Sequence, residues 1–307
     1  MEEIKTEESI STVRACRIVG LSTSAAYYKS CKDDSEVITK LQSLAEKHPT
    51  RGFGVYYGRI RNEGLVWNHK RVKRVYDLLK LNIRRKRKRR LPNREKIALE
   101  QSNSINKKWS MDFMSDALTD GRKFRTFNLI DDFNREVLAI EADTSLPAKR
   151  VVRVLERVMW EKGKPESIRV DNGPEFISNT LESFCKEKEI QLQFIKPGKP
   201  MQNGYVERFN RTFREDILDA YLFSSLKEVR VLSQEWMKDY NGFHPHKSLN
   251  GYSPIGYRHA VESGKLPPPK CQPEFTTCNS GSNNNNGIVN NLISNSVNPL
   301  KSNSTLS

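Results

Sequence analysis

The sequence lacks the long apolar runs and the cysteine patterns that mark several classes of protein. No run of 18 apolar residues occurs among its 307 residues, so no membrane-spanning helix is expected. The first residues are acidic and polar, without the basic and apolar stretches of a signal peptide. The five cysteines are widely spaced and odd in number, which indicates reduced thiols in a cytoplasmic protein rather than a disulfide framework.

Residue patterns for zinc or for a nucleophile are also missing. Cys16 and Cys31 have no pair of histidines nearby, so no structural zinc site is predicted. His244 and His246 have no carboxylate or cysteine at ligand spacing, which disfavours a metal site there. A Ser/His/Asp or Cys/His nucleophile is disfavoured as well, because no base is placed beside Cys185.

Positive charge, by contrast, is in excess. The chain carries 52 lysines and arginines against 37 aspartates and glutamates, a net charge of +15 with an isoelectric point near 9.6. This clustered excess indicates a polyanionic partner, most often nucleic acid. Residues 84–90 are seven consecutive cations that cannot form a core, so residues 84–106 are predicted to be a flexible linker that binds phosphates without reading sequence.

Residues 1–83 are predicted to form a helical DNA-binding region. Helices are expected at 14–19, 23–29, 36–47, 55–62 and after Asn68, a possible N-cap. The first two, with Ser22 as a possible cap, fit a helix-turn-helix, although two short helices with a turn occur in any helical domain. The cationic helix after Asn68 suits entry into a DNA groove. Its candidate DNA contacts are Lys70, Arg71, Lys73 and Arg74.

From residue 107 the apolar period changes from helical to strand-like. Strands are predicted at 109–118, 123–131, 136–142, 166–170 and 192–195, and helices at 148–162, 179–188 and 226–241. This pattern predicts an α/β domain over residues 107–262. Residues 263–307 contain prolines and then an Asn- and Ser-rich stretch with few apolar residues, which predicts a disordered tail.

Glu207 lies where a proline- and glycine-containing loop meets a predicted helix. The buried stripe of that helix is Val206, Phe209, Phe213 and Ile217, and Glu207 lies off it. The polar side also holds Asn203, a possible N-cap, with Asn210, Arg211 and Arg214. Two interpretations remain open: a surface helix with a Glu207–Arg211 ion pair, or a carboxylate that holds a divalent metal while arginines hold phosphates.

Two aspartates lie upstream of Glu207. Asp171 ends the predicted strand at 166–170 and precedes Asn-Gly-Pro, a usual place for chemistry in α/β folds but equally an Asx turn. Asp112 lies within the first strand. On spacing alone, other carboxylates compete with it or lie near Asp171: Asp116, which shares its strand face, Asp131, Asp132 and Glu175.

The spacing of the three carboxylates and the residues around them resemble a known family. Asp112 ends Trp-Ser-Met-Asp, Asp171 begins Asp-Asn-Gly-Pro-Glu-Phe, and Glu207 lies in Gln-Asn-Gly-Tyr-Val-Glu-Arg-Phe-Asn, with 58 and 35 residues between the three. The pattern resembles the D,D(35)E core of retroviral integrases, and its motifs are similar to those of OrfB-type insertion-sequence transposases of the IS-three group. The resemblance covers about residues 10–260. Where that group usually has arginine, this chain has His244.

The resemblance implies a ribonuclease-H-like integrase core at 107–262, preceded by the small all-α region. It implies that Asp112 and Asp171 hold metal ions and that Glu207 completes the set, with two Mg²⁺ or Mn²⁺ ions per site. The implied activity is metal-dependent cleavage of DNA strands and their transfer to target DNA by a DDE mechanism. Candidate phosphate or DNA-end contacts are Lys199, Arg208, Arg211 and Arg214.

The implied partners are the ends of an insertion element, target DNA, a second copy of the chain, and an upstream OrfA protein as partner or fusion. Two other interpretations remain open. A decayed transposase that only binds DNA is favoured by the His244 departure and the atypical tail, and opposed by the presence of all three carboxylates. A ribonuclease-H-like nuclease would cut DNA without joining ends.

Overall fold

The computed structural model describes residues 11–28, 33–83, 102–173, 176–196 and 200–267. Outside these ranges lie the basic run at 84–90, the tail beyond residue 267, the carboxylate Glu175 near Asp171, and the predicted DNA contact Lys199. Within the ranges, no helix has both the length and the apolar character needed to cross a bilayer.

The N-terminal part of the described chain is helical, as the sequence predicts. Its helices are α1 (Thr12–Val19), α2 (Thr23–Ala26), α3 (Ser35–Lys47), α4 (Phe53–Asn62) and α5 (His69–Leu78). The two N-caps predicted in this region form: the Ser22 hydroxyl accepts a hydrogen bond from the Ala25 amide at 3.1 Å, and the Asn68 side chain accepts one from the Lys70 amide at 2.8 Å. Helices α3, α4 and α5 bury one shared core, which includes Leu41, Ile60 and Val72.

Helix α4 begins two residues earlier than its predicted start at Val55. The two glycines before that start suggest a turn over residues 51–54, but Gly52 is the N-cap of the helix and Gly54 lies inside it. The ring of Phe53 packs against Tyr57 and Tyr76, with centroids 5.9 and 5.2 Å away. Tertiary packing of this ring outweighs the helix-breaking tendency of Gly54.

A five-stranded sheet forms the centre of the second region. Its strands are β1 (Lys108–Ala117), β2 (Lys123–Asp131), β3 (Val137–Asp143), β4 (Ser167–Val170) and β5 (Gln191–Phe194), in the order β3-β2-β1-β4-β5. The β1–β2 and β2–β3 pairs are antiparallel, whereas β4 is parallel to β1 and β5 to β4. Three consecutive antiparallel strands followed by two parallel ones confirm the expected ribonuclease-H-like α/β fold.

Helices cover both faces of the sheet. On one face α6 (Ala148–Lys162) and α7 (Asn179–Glu187) pack over Trp109, Met111 and Leu129. On the other face α8 (Gly204–Phe213) and α9 (Leu226–Phe243) pack over Met114, Phe124 and Ile140. A 3₁₀ turn (Pro200–Asn203) precedes α8, a π turn (Arg214–Leu218) follows it, and a 3₁₀ turn (Lys247–Leu249) and α10 (Pro254–Glu262) come after α9.

The helical region contacts the sheet region through α4 and the residues before it. Arg59 and Asp239 of α9 form an ion pair at 2.7 Å, and Arg59 is only 2% exposed. The side-chain Nδ2 of Asn62 donates to the carbonyl oxygens of Phe243 and Gly251 at 3.2 and 3.3 Å. These polar contacts join α4 to α9 and to the loop that follows it.

Candidate catalytic site

Asp112 lies in the middle of β1, on the face that receives α8. Its neighbours Met111 and Phe113 pack toward α6 and α7, so Asp112 projects from the opposite face of the strand. Its Oδ1 accepts a hydrogen bond from the Phe113 amide at 2.8 Å. Its Oδ2 accepts one from Asn210 Nδ2, also at 2.8 Å. The orientation of this half-buried carboxylate is therefore fixed through both oxygens.

Asp171 comes directly after β4, which lies beside β1. Because Ser110 is paired with Arg169 in the parallel register, Asp171 stands level with Asp112 just beyond the end of β4. Its Oδ1 accepts a hydrogen bond from the Gly173 amide at 3.1 Å, which makes the predicted Asx turn. The turn and the proximity to Asp112 coexist, so the two interpretations of Asp171 are compatible.

Glu207 lies in the first turn of α8 and is exposed. The predicted apolar stripe seats this helix on the sheet, since Val206, Phe209 and Phe213 are all buried. One turn after Glu207, Asn210 bonds to Asp112. Because residues at i and i+3 share a helix face, Glu207 is carried to the same side of the sheet as Asp112.

The negative charges of Asp171 and Glu207 act on Asp112. The pKa of Asp112 is raised to about 6, first by burial and then by the negative charges of Asp171 and Glu207, while hydrogen bonds from the Phe113 amide and Asn210 oppose the rise. Burial also raises the pKa of Glu207, against the nearby positive charge of Arg211. The fold thus brings the three sequence-predicted carboxylates into one electrostatic neighbourhood.

The arrangement of these carboxylates is open. Within the described ranges, no three Asp, Glu, His or Cys side chains stand close enough together to hold a metal ion. The donors at this site are all carboxylate oxygens, the ligand type that Mg²⁺ and Mn²⁺ prefer. The site is therefore a set of carboxylates with the right ligand type for these metals, but they do not form a closed coordination sphere.

Comparison with known proteins identifies the family. Two integrase core domain families match the chain, one at residues 102–200 and the other at residues 188–254. A protein of insertion element IS407 from Burkholderia multivorans is 37% identical over 258 residues, covering 83% of this chain and 92% of the relative. The chain belongs to the insertion-element transposases with an integrase core domain. The putative transposase InsK of element IS150 from Escherichia coli is 26% identical, covering 65% of this chain and 74% of the relative.

The solved structures that are similar to this chain include integrases. The HTLV-2 integrase catalytic core domain in complex with magnesium matches with a TM-score of 0.38 and 18% identity, covering 50% of this chain and 97% of that one. In this insertion-element transposase, the expected antiparallel-then-parallel sheet is seen directly in its own strand order.

The competing carboxylates in this transposase have other partners. Asp116 lies 3.5 Å from Arg214 in an ion pair. Asp131 is buried and accepts hydrogen bonds from the Asn106 and Phe133 amides at 2.9 and 2.8 Å. Asp132 is fully buried and bonds to Ser110 Oγ at 2.6 Å and to Arg169 Nη1 at 3.0 Å. These aspartates stabilise loops and strand ends. None of the three is among the main causes that raise the pKa of Asp112.

Sequence reasoning missed the role of two buried asparagines. Asn128 lies opposite Asp112 in the β1–β2 register and is fully buried. Its Nδ2 donates to Asn210 Oδ1 at 2.7 Å, and Asn210 in turn donates to Asp112. The sequence places Asn210 on the polar side of the helix with Glu207, but nothing in the sequence shows that it is buried against β2. The pair links α8 to the sheet through Asp112.

Aromatic packing supports the Asp171 segment, which the sequence also does not show. Phe113, adjacent to Asp112, stacks on Phe176 with ring centroids 4.9 Å apart. The guanidinium carbon of Arg125 lies 4.6 Å from the Phe113 centroid on the same ring. Phe176 is buried and follows the Asp171 turn, so this stack holds the chain that carries Asp171 beside β1.

Most of the predicted DNA contacts on α5 have partners within the transposase. Arg71 and Arg74 both pair with Asp34, at 2.9 and 2.6 Å, and Lys73 pairs with Asp77 one turn along α5. Lys70 is exposed. The sequence did not indicate the role of Asp34, because it precedes α3 and is distant from α5 along the chain.

The predicted cations near Glu207 are distributed differently. Arg208 and Arg211 are exposed on α8. Arg214 donates to the Ser115 carbonyl at 2.9 Å as well as pairing with Asp116, so it braces the π turn against β1. Asn203 precedes α8 as predicted, but its side chain makes no capping hydrogen bond, because a 3₁₀ turn leads into the helix.

His244 is an interior residue. It ends α9, is 9% exposed, and stacks on Tyr240 with centroids 4.8 Å apart. Burial lowers the pKa of His244 well below its ordinary value, and burial likewise lowers the pKa of His246 to about 3. A neutral, buried imidazole packs here, and this packing explains how histidine is accommodated at the position where the resemblance implies arginine.

Proposed function

We propose that this chain is the DNA transposase of an insertion element, which cuts DNA strands at the element ends and joins them to target DNA. The observation that carries the proposal is geometric: Asp171 stands level with Asp112 on the neighbouring strand, and Asn210, one turn after Glu207 on α8, bonds to Asp112. Carboxylates held near one another repel unless a cation neutralises them, which supports a cation at this site. The family membership of the chain supports the same activity.

The carboxylate oxygens of this site are the type of ligand that divalent metal ions prefer. We propose that Asp112 and Asp171 hold the ions and that Glu207 completes the set, with two Mg²⁺ or Mn²⁺ ions per site. When bound, such ions lower the pKa of an attacking water or align a 3′-hydroxyl, and stabilise the leaving oxygen. No covalent enzyme intermediate is needed, so one site serves both cleavage and joining.

The protein side chains have distinct roles in this proposal. The Asp112 carboxylate has a fixed orientation, because hydrogen bonds from the Phe113 amide and Asn210 hold both its oxygens. Arg208 and Arg211, exposed on the helix of Glu207, contact DNA phosphates. The net charge of +15 supplies the sequence-independent part of the affinity.

The proposed assembly contains more than one chain. Joining both ends of an element requires at least two active sites, so the working form is an oligomer on DNA in the cytoplasm. An upstream OrfA protein, as partner or fusion, contributes to recognition of the ends. This part of the proposal rests on the resemblance to OrfB-type transposases.

The test is an assay of cleavage and joining with labelled DNA from the element ends. The wild-type chain, Glu207→Gln and Asp116→Asn are compared with Mn²⁺ and with EDTA. Wild type and Asp116→Asn are expected to cut only with Mn²⁺, and Glu207→Gln to lose at least 100-fold in rate. Asp116 is the matched control because it is a carboxylate on β1 whose partner is Arg214.

The products separate the alternatives. Joined products support a transposase, whereas cleavage without joining indicates a nuclease. DNA binding without cleavage, both alone and as a fusion with OrfA, would refute the catalytic proposal. Equal activity of Glu207→Gln and wild type would refute the assignment of Glu207.

A further inference from the structure

Arg51 belongs to the helical region, yet its guanidinium reaches the segment that follows the helix of Glu207. Its Nε donates to Asp216 Oδ1 at 2.9 Å and its Nη1 to Glu215 Oε2 at 2.9 Å. Its Nη2 donates to the carbonyl oxygen of Thr212 at 3.1 Å. The side chain of Arg51 is only 13% exposed, and three groups of one segment occupy its fork. Such planar, multidentate binding is the geometry that arginine, and not lysine, provides.

The bound segment is the π turn that continues α8. Residues 214–218 form this turn, and Thr212 lies in the last turn of α8. π turns interrupt the regular helical hydrogen bonds and occur often at functional sites. Arg51 satisfies the Thr212 carbonyl where the helix changes its hydrogen-bond pattern, and so holds the end of α8 from outside.

Asp216 and Trp236 connect the Arg51 contact to the middle of α8. Asp216, with a side chain only 4% exposed, also accepts a hydrogen bond from Trp236 Nε1 at 3.1 Å. The Trp236 ring packs on Phe209 and Phe213, with centroids 5.7 and 5.2 Å away. Phe209 directly precedes Asn210, the residue that bonds to Asp112. A continuous set of contacts therefore leads from the helical region to the carboxylate site.

Other contacts show that this junction is built closely. Gly58 of α4 packs against the loop after α9, where an added Cβ would lie 2.5 Å from Pro245 Cβ. Arg59 pairs with Asp239 on α9, the helix that also carries Trp236. The helical region is thus seated on the two helices that position Glu207 and Asn210.

We propose that Arg51 is a positioning residue for catalysis, which holds α8 in the register that keeps Asn210 on Asp112 and Glu207 beside both aspartates. The proposal rests on the proposed transposase function and extends it: the helical region sets the rate of strand cleavage as well as contributing to DNA binding. In this role Arg51 touches neither DNA nor the site carboxylates Asp112, Asp171 and Glu207.

The test compares Arg51→Ala and Arg51→Lys with a matched control, Arg258→Ala. Arg258 forms an ion pair with the buried Glu136 at 2.9 Å, and that pair involves neither α8 nor its π turn. Affinity for element-end DNA is measured by fluorescence anisotropy, and cleavage by single turnover at saturating DNA. We expect Arg51→Ala to lose at least tenfold in cleavage rate with less than a threefold change in Kd, Arg51→Lys to recover part of the rate, and Arg258→Ala to retain it.

A readout independent of activity accompanies the kinetics. Hydrogen exchange of residues 204–218 and the near-ultraviolet circular dichroism of the Trp236 environment are expected to change in Arg51→Ala and not in Arg258→Ala. If Arg51→Ala does not fold, the comparison uses Arg51→Lys, with the same directions expected. Wild-type cleavage rate and exchange in the Arg51 variants, or equal losses in the Arg258 control, would overturn the proposal. Absence of cleavage by the wild type would instead count against the proposed function, while the exchange data still test Arg51.

Discussion

Replacing Asn210 by leucine tests whether the two asparagines fix the carboxylate site. Leucine has the branched shape of asparagine with a larger volume, but it neither donates nor accepts hydrogen bonds. The change removes the bond from Asn210 Nδ2 to the Asp112 carboxylate, a hydrogen bond to a charged group worth about 1.5–3 kcal/mol. It also leaves Asn128 Nδ2 buried without its acceptor, which costs about 1–3 kcal/mol. Because the added apolar contacts offset part of this loss, we expect the free energy of unfolding to fall by about 3 kcal/mol.

The double variant Asn128→Leu/Asn210→Leu isolates the pair. Replacing both partners removes the buried, unsatisfied amide, so the double variant should be more stable than the sum of the single changes predicts, by about 1–2 kcal/mol. Urea unfolding of the four proteins, without metal, gives this coupling energy. Additive single changes would refute the linkage between Asn128 and Asn210.

Metal affinity separates positioning from stability alone. Loss of a group that orients a metal ligand typically weakens metal binding by about 10–100-fold. We expect this in Asn210→Leu, measured as the Mn²⁺ concentration that gives half of the maximal rise in Tm. The control is Asn241→Leu, another buried asparagine, whose bonds go to the Val137 backbone at 2.8 and 2.9 Å. It should lose stability without a change in Mn²⁺ dependence. An equal change in Mn²⁺ dependence in both variants would refute the reasoning.

The remaining predictions concern pH and packing. Burial lowers the pKa of His48 to about 4 and that of His246 to about 3, so at these two sites the unfolded chain binds more protons below pH 6.5, and their contribution to stability falls as the pH drops from 6.5 toward these values. At pH 5 each histidine accounts for about 2 kcal/mol of lost stability. Because the raised pKa values of Asp112 and Asp131 act in the opposite direction, the test compares wild type with His48→Gln in urea unfolding at pH 7 and pH 5. His48→Gln should lose less stability than wild type over this range, and an equal pH dependence of the two proteins would contradict the prediction. Gly58→Ala places a Cβ 2.5 Å from Pro245 and should cost about 1–3 kcal/mol in thermal or urea unfolding, whereas Gly54→Ala, which meets no atom within 4 Å, should not destabilise.

The sequence predicted the elements well where local pattern decides the structure. Strand β2 and helix α6 have the predicted bounds, because apolar periodicity and the flanking turn residues are local properties. The start of α4 was wrong because Phe53 finds aromatic neighbours on α5, which local propensity cannot show. The three carboxylates are predicted from their motifs and spacing, and the register of β1 with β4 explains why Asp112 and Asp171 stand level on neighbouring strands.

What the sequence could not show are partners that lie far apart along the chain. Asn128 meets Asn210, Arg51 meets Asp216, and Arg71 meets Asp34 only through tertiary packing. Each of these polar side chains looks like an ordinary surface residue in its own segment. Their roles depend on burial, which the periodicity of one helix or strand indicates only for apolar residues.

The three carboxylates differ in how firmly the fold holds them, and this difference has a physical reason. Asp112 sits in a central strand with both oxygens bonded, Asp171 is held by one bond from Gly173, and Glu207 is exposed on α8. Three anions brought into contact would repel one another, and burial, together with the charges of Asp171 and Glu207, already raises the pKa of Asp112 to about 6. A fold that forced all three together without a cation would lose stability. Holding Asp112 firmly, with Asp171 and Glu207 near enough to interact through their charges but not in contact, avoids that cost. The attraction of a bound cation would then be the interaction that draws the three carboxylates closer together.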